Sequence, residues 1–396
     1  MSEKKVLKRP EWYLKLRQKI DTPSGTSVTA SVISIALGLI FGLILLFFID
    51  AYSAFNGFAN LLFTGFSSKA YIAKMLYKAA PLIMTGLSVG FAFKAGLFNI
   101  GATGQYTFGA FAALYFALIL KFPWYGAMLV AMIAGALWGA IPGIFKALFN
   151  VNEVITSIMF NWIALFLVNL MYFNIPGMWY SSVDKSRTAE LSQVNASAVL
   201  PDLGLKTLFS STYINIGIIV AIIAAIVIYI VLEKTTFGYE LKACGSNRNA
   251  SVYAGINAKR NIILSMVIAG ALSGIGGAIS YLAGTVPFTI AASTLLPMGF
   301  NGIPVALLAY SAPLGVIVSG VFIAYLQVGG EAMQPEFSTE MVNIILSVII
   351  YFSAFSLIMR QFISKTIANK KAAELTLATP APIPPDIDKA KKEGDL

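Results

Sequence analysis

The chain has 396 residues, of which 58% are hydrophobic and only 12% charged, and its mean hydropathy is +0.78. Soluble domains carry about 25% charged residues, so the composition describes a polytopic membrane protein. There is no histidine and a single cysteine, Cys244, which excludes histidine proton relays, His/Cys metal sites, Cys–His nucleophiles and an intramolecular disulfide.

Residues 1–27 form a basic cytoplasmic segment. Trp12, Leu16 and Ile20 fall at i, i+4 and i+8 with Lys15, Arg17 and Lys19 between them. That pattern suits a helix lying among headgroups, and equally a disordered tail that only sets topology. Apolar runs of about 20 residues then predict ten spans in an all-α membrane domain over 28–364. They lie at 28–49, 72–93, 101–120, 124–148, 153–173, 213–232, 261–283, 294–310, 313–330 and 340–360. The first is too long for a signal-peptide core and lacks a small-x-small cleavage site, so it reads as a retained anchor.

Several spans are discontinuous. Pro81, Pro142 and Pro304 interrupt the second, fourth and eighth. The third follows Lys94-Ala-Gly-Leu-Phe-Asn-Ile-Gly-Ala-Thr-Gly-Gln105, and the eighth starts at Pro297-Met-Gly-Phe-Asn-Gly-Ile-Pro304. Broken backbone at membrane depth is tolerated only beside protein or a wet cavity, which places both stretches inside, next to a pathway. Glu153-Val-Ile-Thr-Ser-Ile-Met-Phe also resembles Glu340-Met-Val-Asn-Ile-Ile-Leu-Ser in register. Spans two to five are thereby expected to recur inverted as spans seven to ten, an arrangement that places a transporter site near mid-membrane.

The loop 233–260 is basic and compact. Thr236 can cap a first short helix that Gly245 ends, and Asn247 a second that Gly255 closes. The segment before residue 28, this loop, and the chain from Arg360 onward hold seven, five and seven of the 28 Lys and Arg residues. The positive-inside bias puts all three, and hence both termini, in the cytoplasm. Basic residues that flank spans also argue against nucleic-acid binding. The tail 365–396, Pro-rich and then charged, is expected to be disordered. No Gly-x-x-x-x-Gly-Lys-Ser/Thr string is present, so the chain does not hydrolyse nucleotide through a P-loop of its own.

Asn152, Glu153, Thr156, Asn161 and Trp162 give the fifth span a polar face. Asn99, Gln105, Asn301 and Asn343, with Phe300, add candidates near the two broken regions. Amides donate and accept without charge, which suits a neutral polar ligand, although the same groups can satisfy broken helix ends. Glu153 reads as well as a helix-start charge. Lys74 and Lys78 suit snorkelling to headgroups, or a positive rim for an acidic docking protein. Small residues from Gly270 to Ala278 predict close backbone contact with another helix, inside the bundle or at a subunit interface.

Three stretches carry a resemblance: Gly86 to Gln105, Asn152 to Asn161 and Gly238 to Gly255. Together they resemble the permease subunits of bacterial ABC importers for ribose, other simple sugars and branched-chain amino acids, and most of all the nucleoside branch. The resemblance implies a non-catalytic half of a translocation pore in the bacterial cell membrane. It implies a second homologous permease, ATPase subunits that carry ATP-Mg, and an extracytoplasmic substrate-binding lipoprotein, with no cofactor or metal on this chain. It also implies that the loop bearing Gly238, Lys242, Gly245, Asn247, Arg248 and Gly255 enters a groove on the ATPase. Thr103 departs from relatives that often have an acidic residue there, which leaves ligand detail open.

Two other classes compete with that reading. An ion-coupled secondary transporter needs a titratable group buried in its pathway, and the deep spans offer amides and hardly any carboxylate. A passive channel would show a charged ring or repeated filter motif, and neither is present. Within the resemblance, a simple sugar such as ribose is the alternative to a nucleoside.

Overall fold

The computed structural model describes residues 23–366 apart from 182, 290–293, 335 and 357. The basic segment up to residue 22 and the tail from 367 onward therefore lie outside the described residues. The chain forms two compact units, one of residues Ser34–Ser356 and one of its two ends. In the end unit the described residues are helical, at 23–33 and 358–366.

The helices are α1 (Pro23–Ile49), α2 (Ala54–Ser67), α3 (Lys69–Lys94), α4 (Ala102–Leu118), α5 (Trp124–Phe149) and α6 (Glu153–Asn174). The short α7 (Leu191–Val194) and α8 (Leu205–Phe209) sit in a long connection. Then come α9 (Gly217–Lys234), α10 (Thr236–Ser246), α11 (Arg248–Tyr253), α12 (Ala258–Leu282), α13 (Pro297–Leu308), α14 (Pro313–Ala332) and α15 (Thr339–Ala354). Every predicted span coincides with one of these helices. Seven of them (α1, α3, α5, α6, α9, α12 and α14) are long and apolar enough to cross a membrane alone. The protein is all-α and spans the membrane many times.

One expectation needs correction, and one helix was not foreseen. Helices α3, α5 and α13 continue through Pro81, Pro142 and Pro304 without interruption. An internal proline removes one ladder hydrogen bond, and packed membrane helices absorb that loss. The region between the first two spans is also helical. In α2 the buried Ala54, Gly57, Leu61 and Gly65 form one face, against Tyr325 of α14 and Phe337, while Phe55, Phe63 and Phe66 stay exposed. Fourteen residues fall short of a span, so hydropathy alone gives this helix no weight.

Helix α12 is the centre of the bundle. A Cβ on Gly270 would meet the carbonyl of Gly135, and one on Gly277 the carbonyl of Tyr106. Gly139 lies equally close to Met266 O. The small-residue run from Gly270 to Ala278 thus packs α12 onto α4 and α5 within this chain. Glu153 and Glu340 both lie in the first turns of their helices.

Candidate functional site

The interior chain break at 95–101 is held by amides. Asn99 is fully buried and its Nδ2 donates to Gln105 Oε1 (2.8 Å) and to Ser88 Oγ (3.0 Å). Gln105 Nε2 donates back to Asn99 Oδ1 (3.0 Å), so the two side chains form a reciprocal pair across the start of α4. Asn161 of α6 closes the same end. Its Oδ1 accepts from Gly104 N (2.8 Å), one of the unpartnered donors of a helix N-terminus, and its Nδ2 donates to Ile100 O (3.0 Å). The second predicted break lies against the first: a Cβ on Gly299 of α13 would strike Thr103, and one on Gly302 would strike Thr85. Thr103 is completely buried, and its hydroxyl has no hydrogen-bond partner among the described residues.

The other candidates are spread more widely. Asn152 caps α6 through Val154 N (2.8 Å), and Thr156 Oγ1 donates to Asn152 O (3.1 Å). Glu153 pairs with Lys146 of α5 at 2.8 Å. Phe300 and Asn301 are half-buried on the first turn of α13, and Asn343 is exposed on α15. The structure therefore gathers Asn99, Gln105 and Asn161 into one network and leaves Asn152, Glu153 and Asn343 outside it.

The loop 233–260 folds as two capped helices. The first N-cap is Thr235, whose Oγ1 accepts from Gly238 N (3.1 Å), one residue earlier than the expected Thr236. Gly245 does not end the helix, which runs on to Ser246. It is instead the point where the helix touches the interior break. A Cβ there would sit 2.5 Å from Lys94 O and 2.8 Å from Gly96 N, and Gly96 itself has a φ of +73°. Asn247 caps the second helix through Ala250 N (3.0 Å). Gly255, at φ +82°, closes it as expected: Gly255 N donates to Val252 O (3.0 Å) and Ile256 N to Ser251 O (3.0 Å). Asn261 Nδ2 donates to Glu240 Oε2 (3.1 Å), fastening α10 to α12, while Gly238 lies against the backbone of Leu232. Lys242 pairs with Glu233 (3.0 Å), and Arg248 reaches Asn150 Oδ1 (3.4 Å), both at the surface. A groove of about 560 Å³ runs between the two helices, past Tyr239, Ala243 and Ala250.

A cavity of about 490 Å³ opens at the far end of α3 from Lys94. Lys74, Tyr77, Lys78 and Pro81 follow the i, i+3, i+4, i+7 rule and present one face to it. Across the space, Glu331 of α14 accepts Lys78 on Oε1 and faces Lys74 with Oε2 at 2.7 Å. Four tyrosines, Tyr77, Tyr106, Tyr213 and Tyr281, line the rest. Tyr77 Oη donates to Ser280 O (3.2 Å), and its ring lies 5.8 Å from that of Tyr213. A second cavity of about 330 Å³ shares Tyr281 and Val286 with the first and reaches Arg187 and Glu190 on the long connection. On the same connection the Ser186 hydroxyl and amide, with Arg187, hold the Asp184 carboxyl below its ordinary range. Sequence reasoning read Lys74 and Lys78 as snorkelling to headgroups or forming a positive rim, and missed this cavity. The available signal was Glu331, a lone carboxylate at the end of an apolar run, because a charge at membrane depth takes a partner.

Residues 71–354 match the family described as branched-chain amino acid transport system / permease component. The nucleoside ABC transporter permease protein NupB of Lactococcus lactis is 36% identical over 358 residues, covering 88% of this chain and 96% of that protein. The guanosine ABC transporter permease protein NupP of Bacillus subtilis is 36% identical, with 86% and 97% covered. The glucose ABC transporter permease protein TsgB13 of Haloferax volcanii is 31% identical, with 72% and 76% covered. No solved structure matches. With its helical bundle, interior chain break and capped surface pair, this chain belongs to the branched-chain amino acid transport system permease family.

Proposed function

We propose that this chain is the non-catalytic, membrane-spanning subunit of an ATP-driven nucleoside importer in a bacterial cell membrane. Both termini and the helix pair α10–α11 face the cytoplasm, in keeping with the charge distribution. The nucleoside assignment is supported by the names of the two 36%-identical relatives. The observation that carries the mechanism is the backbone contact between Gly245 and residues 94–96. Short capped helices transmit displacement, whereas a loose loop would absorb it. Movement imposed on α10 therefore reaches the interior break directly, and with it the amide network at the start of α4.

In this reading ATPase subunits, which carry ATP-Mg, grip α10–α11 through Lys242, Arg248 and the groove between the helices. A second homologous permease completes the pore, and an extracytoplasmic lipoprotein delivers substrate to the tyrosine-lined cavity. Asn99, Gln105, Thr156 and Asn161 brace the pathway wall from within the bundle. Phe300 and Asn301 are candidates near the start of α13, while Asn152 and Glu153 hold the cytoplasmic start of α6 and Asn343 lies exposed in the second turn of α15. The archaeal glucose permease relative favours a second reading, a simple sugar in place of a nucleoside.

The test is uptake by the complex reconstituted with its ATPase and lipoprotein in proteoliposomes, against a panel of nucleosides and pentoses. Nucleoside accumulation that requires ATP and survives collapse of proton and sodium gradients is the expected result. Accumulation by this chain alone on an ion gradient would overturn the proposal.

A further inference from the structure

The turn 309–312 between α13 and α14 has a strained backbone. Tyr310 and Ser311, at φ of +52° and +54°, are the one adjacent pair among the described non-glycine residues of positive φ. A single left-handed residue ends many helices, but two in a row, one of them aromatic, persist only where their surroundings impose them. Those surroundings are specific. Ser311 N donates to Ala306 O (2.8 Å) and Tyr310 N to Leu307 O (3.0 Å), which closes the end of α13. Lys94 Nζ donates to Tyr310 O (3.4 Å), and Tyr310 Oη donates to Ser356 O (2.8 Å), just past the end of α15.

Lys94 also takes part in the contact with α10. Its carbonyl lies against Gly245 while its ammonium holds the strained turn, so one residue touches both. The other end of α13 rests on backbone, Gly299 on Thr103 and Gly302 on Thr85, where it can pivot but has no room to slide. Displacement of residues 94–96 is therefore taken up at the turn. Coupling between distant sites needs an element with two arrangements, and a strained turn held by two side-chain bonds supplies one.

We propose that Lys94 and Tyr310 are positioning residues that carry movement of α10 through the 310–311 turn to the C-terminal end of α15. The inference rests on the reading of α10–α11 as the ATPase-driven element, and two readouts keep the two separable. The first is hydrogen exchange in the purified chain alone, for wild type, Gly245→Ala, Tyr310→Phe and the double variant. The methyl group of Gly245→Ala presses on Lys94 O and should raise exchange in the last turn of α15 by roughly fivefold, the scale of one weakened hydrogen bond. In the Tyr310→Phe background the same change should stop at the 309–312 turn. The second readout is uptake per ATP hydrolysed by the complex with its ATPase and lipoprotein. Lys94→Met and Tyr310→Phe should each lower it by roughly fivefold, their combination no further, and Lys94→Arg should restore it. Links in series give that equality, whereas two independent packing contacts would multiply their losses. Multiplied losses, an α15 that does not respond to Gly245→Ala, or a response that survives Tyr310→Phe would each overturn the relay. Uptake that needs no ATP, with the exchange pattern as expected, would overturn the importer reading alone.

Discussion

The break at 95–105 and the cavity at Lys74–Glu331 are both polar places inside an apolar bundle, and they use polarity in opposite ways. At the break, Asn99, Gln105 and Asn161 are buried and spend their hydrogen bonds on one another and on free helix-end groups. At the cavity, Lys74, Lys78 and Glu331 pair with one another and their side chains stay partly exposed, at 28%, 21% and 34%. Neutral amides can be sealed in because each is satisfied locally. Charged groups are retained where a cavity lets them stay partly solvated. Polarity in a membrane bundle therefore marks a ligand site only where some of it is left unspent.

Three variants can break or sharpen that contrast. The largest effect is expected for Gly245→Val, because its side chain would collide with the backbone of residues 94–96, which has no rotamer to yield. ATP-driven uptake should fall by roughly a hundredfold, the scale for losing a well-aligned contact far from the chemistry. ATP hydrolysis by the assembled complex should persist, and parallel uptake and phosphate-release assays separate the two. Asn161→Leu comes next. It deletes two buried hydrogen bonds to the break and should cost about 2–5 kcal/mol, seen as a lower melting temperature in detergent. A cavity change is expected to be milder. Tyr77→Phe removes one bond to Ser280 O, worth about 0.5–1.5 kcal/mol. It should leave the melting temperature near wild type while altering uptake kinetics. If Asn161→Leu melts like wild type and Tyr77→Phe does not, the roles of the two regions are reversed.

Much of the architecture was legible because membrane spans are set by length and hydropathy, and the ten apolar runs all became helices. The caps at Asn247 and Gly255 were legible too, since both follow local backbone chemistry. Proline misled, because a helix packed on its neighbours continues through Pro81 where an exposed one would not. Gly245 misled differently: it resembles a helix stop, yet its missing side chain serves an approach by Lys94 and Gly96, far away in sequence. Asn99 and Gln105 do lie at the first break and Asn343 stands apart, exposed on α15, but whether an amide meets a ligand or a backbone depends on its neighbours. Lys78 and Glu331 stand 253 positions apart, and no spacing rule connects them.

The glycine seam between α5 and α12 has a mechanical corollary. Gly135 and Gly139 meet Gly270 and Met266 backbone to backbone, with no side chains between them to change rotamer or slip past one another. Such rods are in effect welded and must swing as one lever. Any rocking that admits or releases cargo is thus confined to the joints where side chains still separate neighbours.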